Sequence, residues 1–236
     1  MKKLVLITIF LISGLLFASG NREQDGTIPT SSTRPASTAS QADTPLWTSA
    51  DGQTKVLIAY FTWADNTIVE HPEEVDVDAS TSASVLHPGN TERLASWIQE
   101  ITGGDVFPIT TVEKYPSDYD ECLDIAATEK AENTRPSLSN HVEDISQYDV
   151  IFLGFPNWWY TLPMAIHSFV ESHDLTGKII APFCAHGTSG LSGTIRDLTR
   201  ALPDSTILDP FGVYRPNVAG AQDDISTWVH NLTYAL

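Results

Sequence analysis

Asn157, Trp158, Trp159 and Tyr160 follow one another in a loop bounded by Pro156 and Pro163. Core packing explains three adjacent large aromatics in such a loop poorly. Loops lie at the surface, and an exposed aromatic cluster usually has something to stack on. A second group, Gly89-Asn90-Thr91, stands where a helical pattern opens. It offers small residues, a cap and free backbone N–H groups, on which a phosphate can sit without any Lys. Taken alone, such a run is more often an ordinary helix cap. Thr62, Trp63 and Asn66 begin the same long connection, which runs on to Pro88 and carries Glu70, Glu73, Glu74, Asp76 and Asp78. An acidic insertion of that length predicts a lid or flap. The third group is the run from Cys184 to Ser192, with His186, Gly187, Ser189 and Gly190. Its small residues let a flat ligand approach the backbone closely.

Other chemistries are poorly served. Ser189 lies only three residues from His186 and no G-x-S-x-G turn is present, so a nucleophilic triad is not expected. The Lys of a nucleoside-triphosphate loop is missing. No CxxC or His/Cys cluster suggests a metal, and the seven histidines are scattered. Cys122 and Cys184 are too few for a disulfide scaffold, although an oxidising compartment would allow one bridge between them. The formal net charge of −17 argues against nucleic acid and anionic membranes as partners.

These loops need a scaffold, and the chain supplies one. Five segments read as strands: Lys55–Phe61, Asp105–Thr111, Tyr148–Phe155, Lys178–Ala185 and Thr206–Tyr214. Val150-Ile151-Phe152-Leu153 is apolar without alternation, as in a strand buried on both faces. Pro108 makes the second strand an edge strand. Helical spacing appears at Leu94, Trp97, Ile98 and Ile101, ended by Gly103-Gly104, and again at Tyr119, Cys122, Leu123, Ala126 and Ala127. Met164–Ser172 is a third helix; Ile195, Leu198 and Leu202 mark a fourth, and Ile225, Trp228, Val229 and Leu232 a fifth. Five alternations of strand and helix specify an α/β, doubly wound, five-stranded parallel sheet. In the order 2-1-3-4-5, the loops after strands one, three and four converge at the switch point, where such sheets bind ligands.

The N-terminal region differs. Met1-Lys2-Lys3, an apolar run from Leu4 to Phe17 and Ala18-Ser19-Gly20 together predict a signal peptide over residues 1–20. The apolar run is shorter than the roughly 18–20 residues of a spanning helix, so no stable membrane insertion is expected after cleavage. Residues 21–53 are rich in Ser, Thr and Pro and read as a disordered tether, with Trp47 its one large aromatic. Residues 54–236 form one domain. Its expected place is periplasmic or extracellular.

The segments KVLIAYFTWADNT, GNTERLASWIQEITGGDVFPI, YPSDYDECLDIAATEK, YDVIFLGFPNWWYTLPMAIHSFVE and LTGKIIAPFCAHGTSGLSGTIRDL, in that order, resemble the flavodoxin family, in particular its short-chain branch with a W-W loop. The resemblance runs from about Lys55 to Val213 and implies the flavodoxin-like strand order and noncovalent FMN. The family's phosphate loop corresponds to Thr62-Trp63 plus Gly89-Asn90-Thr91, its isoalloxazine-flanking loop to Pro156–Tyr160, and its second flavin loop to His186–Gly190. This sequence departs from the family in the insertion between Asn66 and Gly89, and in Ala64-Asp65 where a Gly is common. The ring would stack on Trp158 or Trp159, and the acidic surface would push the flavin potential down. No residue need act as a catalytic base. The expected role is electron transfer to or from a small acceptor or redox partner. Two alternatives remain: an FMN-dependent NAD(P)H or quinone oxidoreductase, and a flavin-free binding module built on the Trp pair.

Overall fold

The computed structural model describes residues 54–79 and 84–232. The predicted signal peptide, the tether with Trp47, and the chain's last four residues lie outside them. Strand β1 (Val56–Tyr60) is buried along its whole length. β3 (Val150–Pro156) is buried in all but its last residue and β4 (Ile179–His186) in all but its two ends. Each is flanked by strands on both sides and by helices on both faces, so neither parity of side chain meets water. β2 (Asp105–Pro108) is the edge strand. There Pro108 can lack its N–H, while Ile109 donates to the Tyr60 carbonyl at 2.7 Å. The order is β2-β1-β3-β4-β5, all parallel, as expected.

Successive side chains divide the core into two layers. Val56, Ile58, Val150, Phe152, Ala181 and Phe183 pack with Leu94 and Ile98 of α1 (Asn90–Thr102) and with Ile225 and Val229 of α5 (Gln222–Asn231). Leu57, Ala59, Ile151, Leu153, Ile180 and Cys184 face the other way. They meet Cys122 of α2 (Tyr119–Glu132), Ile166 and Phe169 of α3 (Met164–Ser172), and Leu198 of α4 (Thr194–Ala201). Gly103 ends α1 at φ 68°, its N–H on the Gln99 carbonyl at 2.8 Å. Among the described residues, no helix is long and apolar enough to cross a membrane.

Three expectations need correction. The fifth strand is not continuous from Thr206 to Tyr214. β5 (Thr206–Ile207) and β6 (Phe211–Tyr214) both pair with β4 and are separated by Leu208-Asp209-Pro210. Pro210 has no N–H to give the ladder, and the Asp209 carbonyl instead accepts from Trp228 Nε1 at 3.0 Å. β2 stops at Pro108 rather than Thr111, because Thr110 and Thr111 turn to Ser139, Asn140 and Asn66 for their hydrogen bonds. The acidic insertion is partly structural. Ala79 and Val85 are fully buried, Thr67 Oγ1 donates to the Tyr115 carbonyl at 2.8 Å, and Val69, Val75 and Leu86 pack against the same layer. Its carboxylates stay outside: Glu70, Glu73, Glu74, Asp76 and Asp78 are exposed.

The two cysteines are free and buried, one on α2 and one in β4. Burial pushes the Cys122 thiol up to about 12, the neighbouring Glu129 carboxylate adding to it, so it is inert at neutral pH.

Candidate functional site

A cavity of about 340 Å³ opens at the carboxyl ends of β1, β3, β4 and β6. Eleven residues singled out from the sequence line it: Thr62, Trp63, Asn90, Thr91, Pro156, Asn157, Trp158, Trp159, Tyr160, Gly187 and Ser189. All three loops therefore converge.

The start of α1 forms one end. Thr62 is nearly fully buried, and Asn66 holds it from behind. The Asn66 amide donates to the carbonyls of Thr62 at 2.8 Å and Ile109 at 3.0 Å, and its Oδ1 accepts from Thr111. Asn66 is thus spent on positioning and does not line the cavity. Gly89 caps α1 without lining the cavity either, yet its lack of a side chain is required there. A Cβ would overlap Thr62 Oγ1. No acceptor among the described residues faces the N–H groups of Asn90 and Thr91, which start the helix.

The aromatic loop forms the middle. Trp158 sets its ring edge-on to Phe61 at 5.3 Å and to Tyr115 at 5.2 Å between centroids, wedging the loop onto the core. Trp159 and Tyr160 are exposed and both left-handed, with φ of 49° and 67°. Trp158 and Thr161 exchange hydrogen bonds across them, making a two-residue turn of the kind that normally holds Asn-Gly. Side chains and backbone fasten it. Trp159 Nε1 donates to the Leu123 carbonyl at 2.8 Å, Lys130 Nζ to the Trp159 carbonyl at 2.6 Å, and the Gly193 N–H to the Tyr160 carbonyl at 3.0 Å. Asn157 ties this loop to the third one: its Nδ2 donates to the Gly190 carbonyl at 2.6 Å and to Ser192 Oγ at 3.3 Å. Asn157 Oδ1 is buried and has no donor among the described residues. Gly190 (φ 63°) and His186, whose Nδ1 meets the Gly187 carbonyl at 2.8 Å, shape the third loop without lining the cavity.

Sequence reasoning missed Tyr119 and Leu123 of α2, and Tyr214 and Arg215 at the end of β6; Ala185 and Thr188, also in the lining, lie within the third loop without having been singled out. Tyr214 and Arg215 were findable, since they follow a strand at the same sheet end. Tyr119 and Leu123 read only as helix spacing. None of the described residues of the acidic insertion lines the cavity.

Beside the start of α1, Asp65, His87 and Glu92 bring three potential ligand atoms within 4.8 Å of one another. All three groups already have partners: Glu92 Oε2 accepts from the Gly89 N–H at 2.8 Å and meets His87 Nδ1 at 3.0 Å, and Asp65 Oδ1 lies 3.8 Å from the same ring nitrogen. Asp65 is less well placed. Its Oδ2 is buried without a partner, and burial, then the Glu92 charge, raises its pKa. A raised folded-state pKa means that ionisation costs stability above it, and that the cost recedes as pH falls through the carboxylate range. Asp65→Asn should therefore raise Tm at pH 7, with the gain fading by about pH 4, the range of ordinary carboxylates. A thermal melt showing no gain at pH 7 would contradict this.

The flavodoxin family profile matches residues 79–232. No curated protein matches the chain. Among solved structures, a Bacteroides eggerthii DSM 20697 protein described as a flavoprotein is 26% identical, over 73% of this chain and 98% of that one, with a TM-score of 0.54. A similarly described protein of Bacteroides uniformis ATCC 8492 is 24% identical over 75% and 97%, also at 0.54. A flavoprotein from Lactobacillus acidophilus NCFM, solved in complex with FMN, is 18% identical over 73% and 99%, with a TM-score of 0.52, and shares the fold. The strand order, the cavity at the switch point and the profile agree, and the chain belongs to the flavodoxin family.

Proposed function

We propose that this chain binds FMN noncovalently in the cavity and passes electrons between a redox partner or small acceptor and the flavin. The observation that carries the reading is the meeting, in one cavity, of an uncovered helix start, an aromatic loop and a small-residue loop. When bound, FMN would supply the redox chemistry. The chain's own residues bind and orient. Thr62, Asn90, Thr91 and the N–H groups opening α1 suit a phosphate, and no Lys is needed there because the helix dipole favours the anion. Trp159, Tyr160 and Tyr119 give a flat ring apolar surface. Asn157 joins the aromatic loop to the small-residue loop through Gly190 and Ser192, and so holds the two walls of the slot together. The L. acidophilus flavoprotein bound to FMN has the same fold, which supports the same choice.

Export belongs to the same proposal. It rests on the basic start, the short apolar run and the small residues of positions 1–20. An exported flavoprotein has little access to nicotinamide, so electron transfer is favoured over NAD(P)H oxidation.

Reconstitution tests the reading. The purified domain should turn yellow with FMN and bind riboflavin far more weakly. Thr91→Val, which keeps the shape of a buried residue but removes its hydroxyl, should narrow that gap by about tenfold, the worth of one charge-assisted hydrogen bond. A protein that cannot be reconstituted would leave the flavin-free binding module. Equal affinity for FMN and riboflavin would abolish the phosphate site.

A further inference from the structure

Arg215 is the first residue after β6, where the sheet ends against a 3-10 turn (Arg215–Gly220). Its guanidinium carbon lies 4.0 Å from where a Cβ on Gly187 would stand, and it lines the cavity. Among the described residues it is the one basic side chain that does so, and no carboxylate lines the cavity with it. The cation is also unmatched. Lys114, Lys130, Arg135, Lys178, Arg196 and Arg200 are engaged by carbonyls or carboxylates, whereas Arg93, away from the cavity, and Arg215 have no such partner among the described residues. Arg215 has no hydrogen bond or ion pair among the described residues, although the chain carries a net charge of −17. Arg215 is partly buried as a residue, and a guanidinium at a cavity wall with no counter-charge beside it is a ready partner for an anion.

The phosphate is not that anion. The phosphate cradle follows β1, and Arg215 follows β6. In the order β1-β3-β4-β6 they are three strand spacings apart, about 14 Å. What lies next to Arg215 is Gly187, in the small-residue loop that lines the same cavity as Trp159 and Tyr160.

We infer that Arg215 sets the charge preference of the flavin site: its guanidinium faces the ring edge beside Gly187 and favours the reduced, negatively charged ring over the neutral oxidised one. The inference rests on the FMN reading above. Arg215 would neutralise the single negative charge left on the ring after a reductant, dithionite in the assay, has supplied two electrons and the solvent one proton. The acidic surface pulls the other way, but its charges are spread over the whole molecule and screened beyond about 8–10 Å of salt solution. A cation at the ring edge acts at a fraction of that distance and wins. The low flavin potential expected from net charge alone is thereby reversed in direction at this edge.

The test is a redox titration of the FMN-loaded full chain against Arg215→Gln, Arg215→Met as a second charge-free variant, and Arg215→Lys. The charge-free variants should bind reduced FMN at least about tenfold less tightly than wild type while binding oxidised FMN within about threefold. That difference lowers the two-electron potential by about 30 mV. Arg215→Lys should recover most of it, and the preference for FMN over riboflavin should survive in all three. An unmoved potential in whichever charge-free variant folds overturns the inference. So does loss of the FMN preference, which would make Arg215 a phosphate ligand. So does a slower reoxidation by ferricyanide at constant potential, which would make it a docking charge for an outside anion. A wild type that binds no flavin removes the proposed function and this inference together; a wild type that binds FMN with a potential indifferent to Arg215 removes only the inference.

Discussion

Trp158→Ala is expected to lower the unfolding free energy by about 3 kcal/mol, whereas Trp159→Ala should leave stability within about 1 kcal/mol of wild type. The two rings sit side by side in sequence but do different work. Trp158 is partly buried and meets Phe61 and Tyr115 edge-on, at 5.3 and 5.2 Å, so its loss leaves a hole between the aromatic loop and the β1 end of the core. At about 2–4 °C per kcal/mol for a domain of this size, Tm should fall by roughly 6–12 °C. Trp159 is 39% exposed, and its side chain makes one hydrogen bond, to the Leu123 carbonyl. Its removal should weaken FMN binding by about tenfold, the worth of a lost aromatic stack together with its buried area. Melts and fluorescence titrations of the two single variants separate the roles. Reversed results, with Trp159→Ala unstable and Trp158→Ala merely weak in binding, would show that the core extends through the wrong ring.

Gly89→Ala should abolish most of the preference for FMN over riboflavin, with FMN affinity down at least about thirtyfold. A Cβ at position 89 overlaps Thr62 Oγ1, and Thr62 cannot retreat. Its carbonyl is held by the Asn66 amide, and the residue is 3% exposed. Either the Thr62 side chain or the start of α1 must shift, and each forms part of the proposed phosphate cradle. The stability cost should be about 1–3 kcal/mol, as for overpacking elsewhere, so the fold survives to be measured. Riboflavin, which lacks the phosphate, should bind the variant nearly as well as it binds wild type. If FMN affinity is untouched, the phosphate does not sit at the start of α1.

Most of the scaffold was legible because it rests on strong local signals. The apolar run at Val150–Leu153, the Gly103-Gly104 stop and the Met164–Ser172 helix follow from patterns a few residues long. What failed was set by partners distant in sequence. Pro210 was a local warning that the last strand divides, but the hydrogen bond from Trp228 that takes up the Asp209 carbonyl is visible only in the structure. The insertion reads as a polar lid, yet Ala79 and Val85 are buried in the core and Val69, Val75 and Leu86 pack against it. At the site, loop composition identified the residues that face the cavity but could not separate them from those that shape it. Asn66 and Gly89 have the same residue types as binding groups, and only their contacts show that they hold Thr62 in place. Arg215 could have been found from its place after a strand at the same sheet end, but that it pairs with no carboxylate among the described residues is visible only in three dimensions.

The turn at Trp159-Tyr160 places two kinds of selection in opposition. Its backbone would be most comfortable with Asn-Gly, since left-handed conformations cost bulky residues about 1–3 kcal/mol each. A lineage drifting under selection for stability alone would exchange both aromatics and lose nothing that the empty domain needs. Keeping a tryptophan and a tyrosine there is worthwhile only while something occupies the cavity they border. Positions 159 and 160 therefore act as a record of use. Relatives that have stopped binding a ring should reveal themselves by small residues at this turn, long before the sheet beneath it changes.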